Sequence, residues 1–364
     1  MNIGADIIRA RLRNQRLWPG PTATAHDVVG WFGAVQAQDH GGARWAVAQR
    51  ANGLAGAVLD QALAEGTILR THLLRPTWHL VTPADIRWLL RLTAPRIKAQ
   101  MAHYHRESGL DDETFTRSNR ALAAALKDGR QLTRPELGDV LQRAGINLGD
   151  TIALGRVMMR AELDGVVCSG GLRGRQHTYA LLDERAPVVE GLHRDVALSE
   201  LAGRYFASHG PATIKDFSWW SGLSIADAAA GADTAHPSLE CLELGGDRYW
   251  LSRGHQTPAR RPAVSAHLLP NWDEYTVAYA DRRLLITDTH AEQLSSRNES
   301  VLNNVVVLDG RVVGTWKRVL HATTVLVNLN LFQPPTEEGS AAIDAAAAGY
   351  ASFLGLRGEV ALSD

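Results

Sequence analysis

A recurring order of elements constrains this chain more than any single motif. In the middle of the sequence, Phe115, Leu122, Ala125 and Leu126 recur at helical spacing over residues 112–127, and Asp128-Gly129-Arg130 then turns the chain. A short extended link, Gln131-Leu132, leads to Thr133-Arg134-Pro135-Glu136. There an N-cap threonine, an early proline and a glutamate three residues past the cap predict a helix running to Ala144. Residues 145–149 turn again, a helix is predicted over 150–163, and GVVCSGGLRGRQHTYALL reads as two short strands around a glycine- and arginine-rich loop. Helix, small strand, helix, turn, helix, hairpin is the winged-helix order.

The order returns downstream. Residues 196–209 read as a helix, Gly210-Pro211 breaks it, and Ala212-Thr213-Ile214 supplies a short strand. Helices over 215–221 and 224–231 then precede LECLELGGDRYWLS, whose Gly245-Gly246-Asp247 turn separates two alternating runs. Residues 1–80 follow the pattern more loosely, with helices over 5–16, 26–36, 43–50 and 54–65 before the strand-like ILRTHLLRPTWHLV. From Pro262 strands dominate, with a hairpin about Asp309-Gly310 and a closing helix over 337–354. The predicted fold class is α+β: three tandem winged helix-turn-helix units (1–82, 111–190 and 191–260), a linking helix within 83–110, and a small C-terminal β-barrel or sheet domain (261–364).

Composition narrows the class. A 364-residue chain that is 45% hydrophobic is folded and multi-unit. Cys168 and Cys241 match no zinc or redox spacing, so no metal site and no cofactor are expected, and a reducing, cytoplasmic setting is. No apolar run reaches the length of a membrane span. With 38 basic and 39 acidic residues the net charge is −1, so any anion-binding face is local rather than global.

One short stretch stands out in the first unit: Gln36-Ala37-Gln38-Asp39-His40, just before Gly41-Gly42. On a continuous helix the two amides would point about 200° apart, so they can share a task only if the helix stops between them or the segment is extended. The glycine pair is a candidate stop. The alternative is an ordinary polar helix end. The stretch Gln-apolar-Gln, together with LRPTWHLVTPADIRWLL, GGLRGRQHTYALLDE, LLPNWDEYTVAY and LDGRVVGTWKR, resembles the AlkZ-like DNA glycosylases over nearly the whole chain. The resemblance implies that Gln36 and Gln38 are catalytic, that a duplex lies across a concave winged-helix surface, and that a hairpin is inserted. A related branch has Asp at the second motif position. Gln38 therefore places this chain with the branch associated with self-protection against alkylating natural products.

The chemistry is consistent with two neutral amides. A purine alkylated at N7 is cationic and leaves as a neutral base, so the enzyme needs a positioned water and stabilisation of an oxocarbenium-like sugar rather than a strong acid. An amide oxygen can hold that water but cannot deprotonate it at neutral pH. No lysine lies near the motif, the nearest downstream being Lys98, so a monofunctional glycosylase is expected, acting as a monomer on double-stranded DNA with alkylated purines, including bulky adducts and interstrand crosslinks. His40, Arg44, Arg173, Arg175, Gln176, Lys317 and Arg318 are the candidate DNA contacts, each weighed against a solvated or structural role. Asp39 and His79 are possible site-lining residues, with Asp39 alternatively capping the next helix or pairing with Arg44. Trp78, Trp219 and Trp220 read as core or hinge, and Asp273-Glu274 as adjacent carboxylates on opposite faces of a strand. A non-enzymatic DNA-binding or drug-sequestering regulator is the alternative function.

Overall fold

Twice the chain adds a short strand to a hairpin and a third time a single bridge, and each time a helix with a side-chain N-cap follows. The structure, a computed structural model, describes residues 3–18, 22–188, 191–254 and 264–362. The middle segment shows the pattern most plainly: helix Asp112–Leu126, strand Leu132–Thr133, helices Arg134–Arg143 and Thr151–Leu163, and hairpin strands Val167–Arg173 and Gln176–Leu181. Thr133 and Glu136 form a reciprocal capping box, as the spacing predicted. The third segment has helices Arg194–His209, Ile214–Ser221 and Ile225–Ala235 before the hairpin Leu239–Leu244 and Asp247–Ser252. Its short strand shrinks to one bridge between Ala212 and Trp250, and Thr213 caps the next helix.

The first segment differs from its predicted form. Helix Ala25–Phe32 stops at Gly33, whose φ of 77° no other residue adopts cheaply, and residues Val35–Gln36 form a short strand where a helix end was predicted. Helices His40–Arg50 and Gly56–Glu65 and the hairpin Leu69–Leu73 and Thr77–Val81 follow. In both the first and middle segments the short strand pairs with the second hairpin strand. The linking helix runs Ile86–Glu107.

The C-terminal region is an open five-stranded sheet rather than a closed barrel: Ala266–Leu269 and Arg357–Leu362 are its two edges and do not pair with one another. Its strands run antiparallel except the last, which lies parallel to Thr324–Leu331. The hairpin at Asp309-Gly310 has both central residues at positive φ, 50° and 82°, the geometry that suits the twist of tight hairpins. Helix Glu337–Leu354 closes the region. Helices Glu274–Val277 and Asp288–Ser296 lie where strands were expected.

The sheet does not fold around a core of its own. Val28, Phe32, Val35 and Trp45 of the first segment share one buried cluster with Leu268, Trp316, Tyr350 and Phe353, and Trp45 Nε1 donates to the Leu268 carbonyl at 2.6 Å. A second cluster joins Leu89, Leu201, Tyr205 and Trp220 to Tyr275, Tyr279 and Val305. The middle segment alone has a separate core, around Phe115, Leu122, Leu137 and Val157. Trp220 is core, as expected, but Trp219 is 44% exposed.

Candidate active site

The Gln36-Ala37-Gln38 stretch is extended because it is tied into the hairpin sheet. Gln36 lies opposite His79 and Val35 opposite Leu80, and the ladder continues with Ala37 N–H donating to the Trp78 carbonyl at 2.7 Å. Asp39 then caps the next helix by accepting from Gly42 N–H at 3.0 Å. The Gly41-Gly42 pair therefore opens a helix and does not end one. A Cβ on Gly42 would sit 3.0 Å from both an Asp39 carboxylate oxygen and Pro270 Cβ, which accounts for glycine there.

The two amides have different environments. Gln36 is buried: its Oε1 accepts the backbone N–H of Gln38 at 2.7 Å and its Nε2 donates to Thr77 Oγ1 at 3.3 Å. Gln38 is exposed, with its Oε1 at 3.4 Å from the Trp78 backbone N–H, a long and weak bond that leaves the side chain available. Gln36 thus fixes the main chain on which Gln38 is presented.

Behind Gln36 is a fully buried carboxylate. Glu274 Oε1 accepts the Gln36 backbone N–H at 2.6 Å, while Oε2 accepts from Trp220 Nε1 at 2.9 Å and contacts His209 Nε2 at 3.2 Å. Burial pushes this carboxyl up, but the bonds and charge from His209 and the Gln36 amide outweigh it and leave it below the ordinary glutamate value. Burial pulls His209 below the ordinary histidine value, and the bond and charge of Glu274 oppose that shift. Asp273 pairs with the Arg50 guanidinium through both oxygens, at 2.6 and 2.8 Å, and both groups are buried. Asp273-Glu274 is not a strand pair: Asp273 caps the short helix Glu274–Val277, so both carboxylates turn inward.

On the other face of the hairpin the Arg70 guanidinium lies 4.5 Å from the centre of the Trp78 ring and donates to the Ala37 carbonyl at 3.1 Å. Trp78 is half-buried rather than core, and its Nε1 reaches the Glu162 carboxylate, which also holds His72 Nδ1. His40 packs edge-on against His177 of the middle hairpin, ring centres 4.5 Å apart, and neither of its shielded nitrogens has a hydrogen-bond partner. Burial, with His177 and Arg70 nearby, lowers His40 to about 3.

Comparison with known proteins identifies the family. The profile described as AlkZ-like, DNA glycosylase AlkZ-like, matches residues 29–353. The chain belongs to the AlkZ-like DNA glycosylase family. A protein of Streptomyces sahachiroi named as an interstrand DNA cross-link repair glycosylase is 26% identical over 333 residues, 86% of this chain and 87% of that one. The solved Streptomyces sahachiroi DNA glycosylase AlkZ superposes with a TM-score of 0.81 over 99% of each chain at 24% identity, a likeness of fold.

Within this AlkZ-like glycosylase the remaining candidates separate into free and engaged side chains. Arg44 is engaged, donating to Asp60 at 2.6 Å and to the Gly56 carbonyl at 2.8 Å; it does not pair with Asp39. Arg173 bridges to Glu136 and the Gln131 carbonyl although its side chain remains half exposed. Lys317 contacts Glu299 at 3.2 Å from an exposed strand position. Arg175 and Gln176 are exposed on the middle hairpin. Arg318 is exposed overall and lies near Gly41, where a Cβ would sit 3.7 Å from its Nη2, and its charge acts on Tyr350. His79 is fully buried, directly opposite Gln36, and burial lowers it to about 3. It lines the motif from inside. Glu162 escaped the sequence reading, and Glu274 was singled out there only as half of a strand pair, with no connection to the motif.

Proposed function

We propose that this glycosylase hydrolyses the N-glycosidic bond of cationic, N7-alkylated purines in duplex DNA, including bulky natural-product adducts and interstrand crosslinks, as part of self-resistance. The observation that carries the proposal is the division of labour in the motif: Gln36 holds the Gln38 backbone, and Gln38 alone offers its amide to solvent. Its carbonyl holds the attacking water and places partial negative charge near the sugar as the neutral base departs. Glu274, ionised and one hydrogen bond behind Gln36, adds a fixed negative charge that favours the oxocarbenium-like state. The name of the Streptomyces relative supports crosslinks as substrates.

The repeated order of short strand, capped helix, second helix and hairpin supports reading the three segments as winged-helix units within 1–82, 111–190 and 191–260, joined by the helix within 83–110, with 261–364 as the sheet domain. The proposal includes a monomer acting in the cytoplasm, with Gln36 and Gln38 as the catalytic motif. His40, Arg44, Arg173, Arg175, Gln176, Lys317 and Arg318 are the proposed DNA-facing set, of which Arg175, Gln176 and Arg318 are the most available. Membership in a glycosylase family displaces the alternative of a non-enzymatic regulator. The test is a duplex containing N7-methylguanine, incubated with enzyme in excess and then treated with alkali. Cleavage at the lesion is expected, and an intact strand would refute the substrate class.

A further inference from the structure

The strand face that carries Gln36 continues toward the hairpin turn. Thr77 accepts the Gln36 amide, His79 lies opposite Gln36, and two residues before Thr77 comes Arg75, whose charge His79 senses. Arg75 Cγ packs at Gly222, where a Cβ would sit 3.2 Å away, so the hairpin turn of the first segment abuts the C-terminal end of helix Ile214–Ser221. The Arg75 guanidinium lies 5.9 Å from the centre of the Trp219 ring, and Arg282 lies 5.4 Å from the same ring.

The indole is held rigidly by its Nε1, which donates to the Val277 carbonyl at 2.9 Å, and Arg282 is held by Nε donating to the Thr276 carbonyl at 2.9 Å. The outer donors have nothing to bind. Arg75 Nε and Nη2, the two nitrogens of one guanidinium edge, and Arg282 Nη2 are shielded and without partners. Among the described residues neither arginine forms an ion pair. Burial lowers the pKa of both; the Glu274 charge opposes this at Arg75, where Arg282 adds to it, and the Asp216 charge opposes it at Arg282. Like charges near one indole, with unsatisfied N–H groups and Trp219 44% exposed, form an arrangement in which neither guanidinium has a hydrogen-bonded anion among the described residues.

We propose that Arg75 and Arg282, set around Trp219, grip one backbone phosphate of the DNA strand that carries the damaged base. A guanidinium edge matches two oxygens of a phosphodiester. No hydrogen bond anchors the Arg75 head group, so turning it outward breaks none. Because the Arg75 charge is felt at His79, directly opposite Gln36, such a contact lies close to the motif and fixes the register of the strand against Gln38. The inference rests on the DNA-glycosylase assignment and not on the choice of adduct.

The test is the affinity of wild type, Arg282→Gln, Arg75→Gln and the double variant for undamaged duplex and duplex containing N7-methylguanine across a KCl series. Single neutral methylphosphonates are then walked along the lesion strand. Each substitution is expected to weaken binding roughly tenfold and to reduce the salt slope by about one. One methylphosphonate position should weaken wild type but not the double variant. If Arg282→Gln, whose side chain is only partly buried, binds as wild type with an unchanged slope, or if the two kinds of loss add at every position, the phosphate grip is wrong. Binding to undamaged duplex is read independently of base release, so failure of the substrate assignment leaves this result interpretable.

Discussion

The first and middle segments build the same junction in two ways. In the middle segment the short strand ends at Thr133, which pairs with Thr178 and is itself the cap of the next helix. In the first, Gln36 holds the corresponding ladder position opposite His79, but the cap is delayed to Asp39. The extra link, Ala37-Gln38, carries the exposed amide out of the sheet while Ala37 still bonds Trp78. Under the proposed role of Gln38, lengthening the link between strand and helix is what turns a structural junction into a chemical one. The difference extends behind the strand: the middle segment has a core of its own, whereas Gln36 is held by Glu274 from the C-terminal region and, through it, by His209 and Trp220 of the third segment.

The largest effect should come from erasing this difference. Deleting Ala37 and Gln38 brings the cap directly after the strand, within one residue of the middle arrangement, and should abolish base release while leaving duplex affinity nearly intact. Gln38→Ala should slow single-turnover release by on the order of a hundredfold to a thousandfold, with thermal stability unchanged. Release by Gln38→Ala at the wild-type rate would mean the link is not where the chemistry happens.

Glu274→Ala comes next. It leaves the Gln36 N–H and the Trp220 indole N–H buried without an acceptor, and should lower unfolding stability by about 3 kcal/mol. Glu274→Gln removes the charge and keeps one acceptor oxygen, turning its NH2 toward the other donor. It should recover part of the stability and not the rate, and recovery of the rate would remove the electrostatic role.

The pH dependence follows from His79, neutral in the fold at about 3 and near its ordinary value when unfolded. The unfolded state takes up the proton first, so its contribution is full above the unfolded pKa and is lost as pH falls from about 6.5 toward 3. By pH 5 that is on the order of 2 kcal/mol. Denaturant melts of wild type and His79→Gln at pH 7 and 5 measure it, and equal losses in both proteins would exclude His79 as the source.

The smallest effects compare the caps. Asp39→Ala and Thr133→Ala should each lower stability by about 1 kcal/mol, but only Asp39→Ala, which frees the end of the Gln38 link, should also slow base release. Equal activities in the two variants would show that the cap does not position Gln38.

Much of the architecture was legible from local rules. The capping box at Thr133, the hairpin at Asp309-Gly310 and the closing helix fall where turn chemistry and periodicity put them. The helix over 26–36 did not, because Val35 and Gln36 satisfy a helical pattern equally well and only pairing with Thr77–Val81 makes them extended. Asp273-Glu274 misled for a similar reason: alternation assumes a strand, and the Asp273 cap turns the chain into a helix instead. Trp219 and Trp220 are neighbours of one type, yet one is a rigid exposed platform and the other core.

Sequence alone determined the Thr133 junction, most of the helix starts and the identity of the two amides, because these depend on residues within a few positions of one another. The tertiary structure decided which amide faces solvent, which carboxylate stands behind the other, and which arginines are left without partners. Those outcomes depend on contacts such as Gln36 with Glu274 and Arg75 with Trp219, between residues far apart in the chain, which no local pattern encodes.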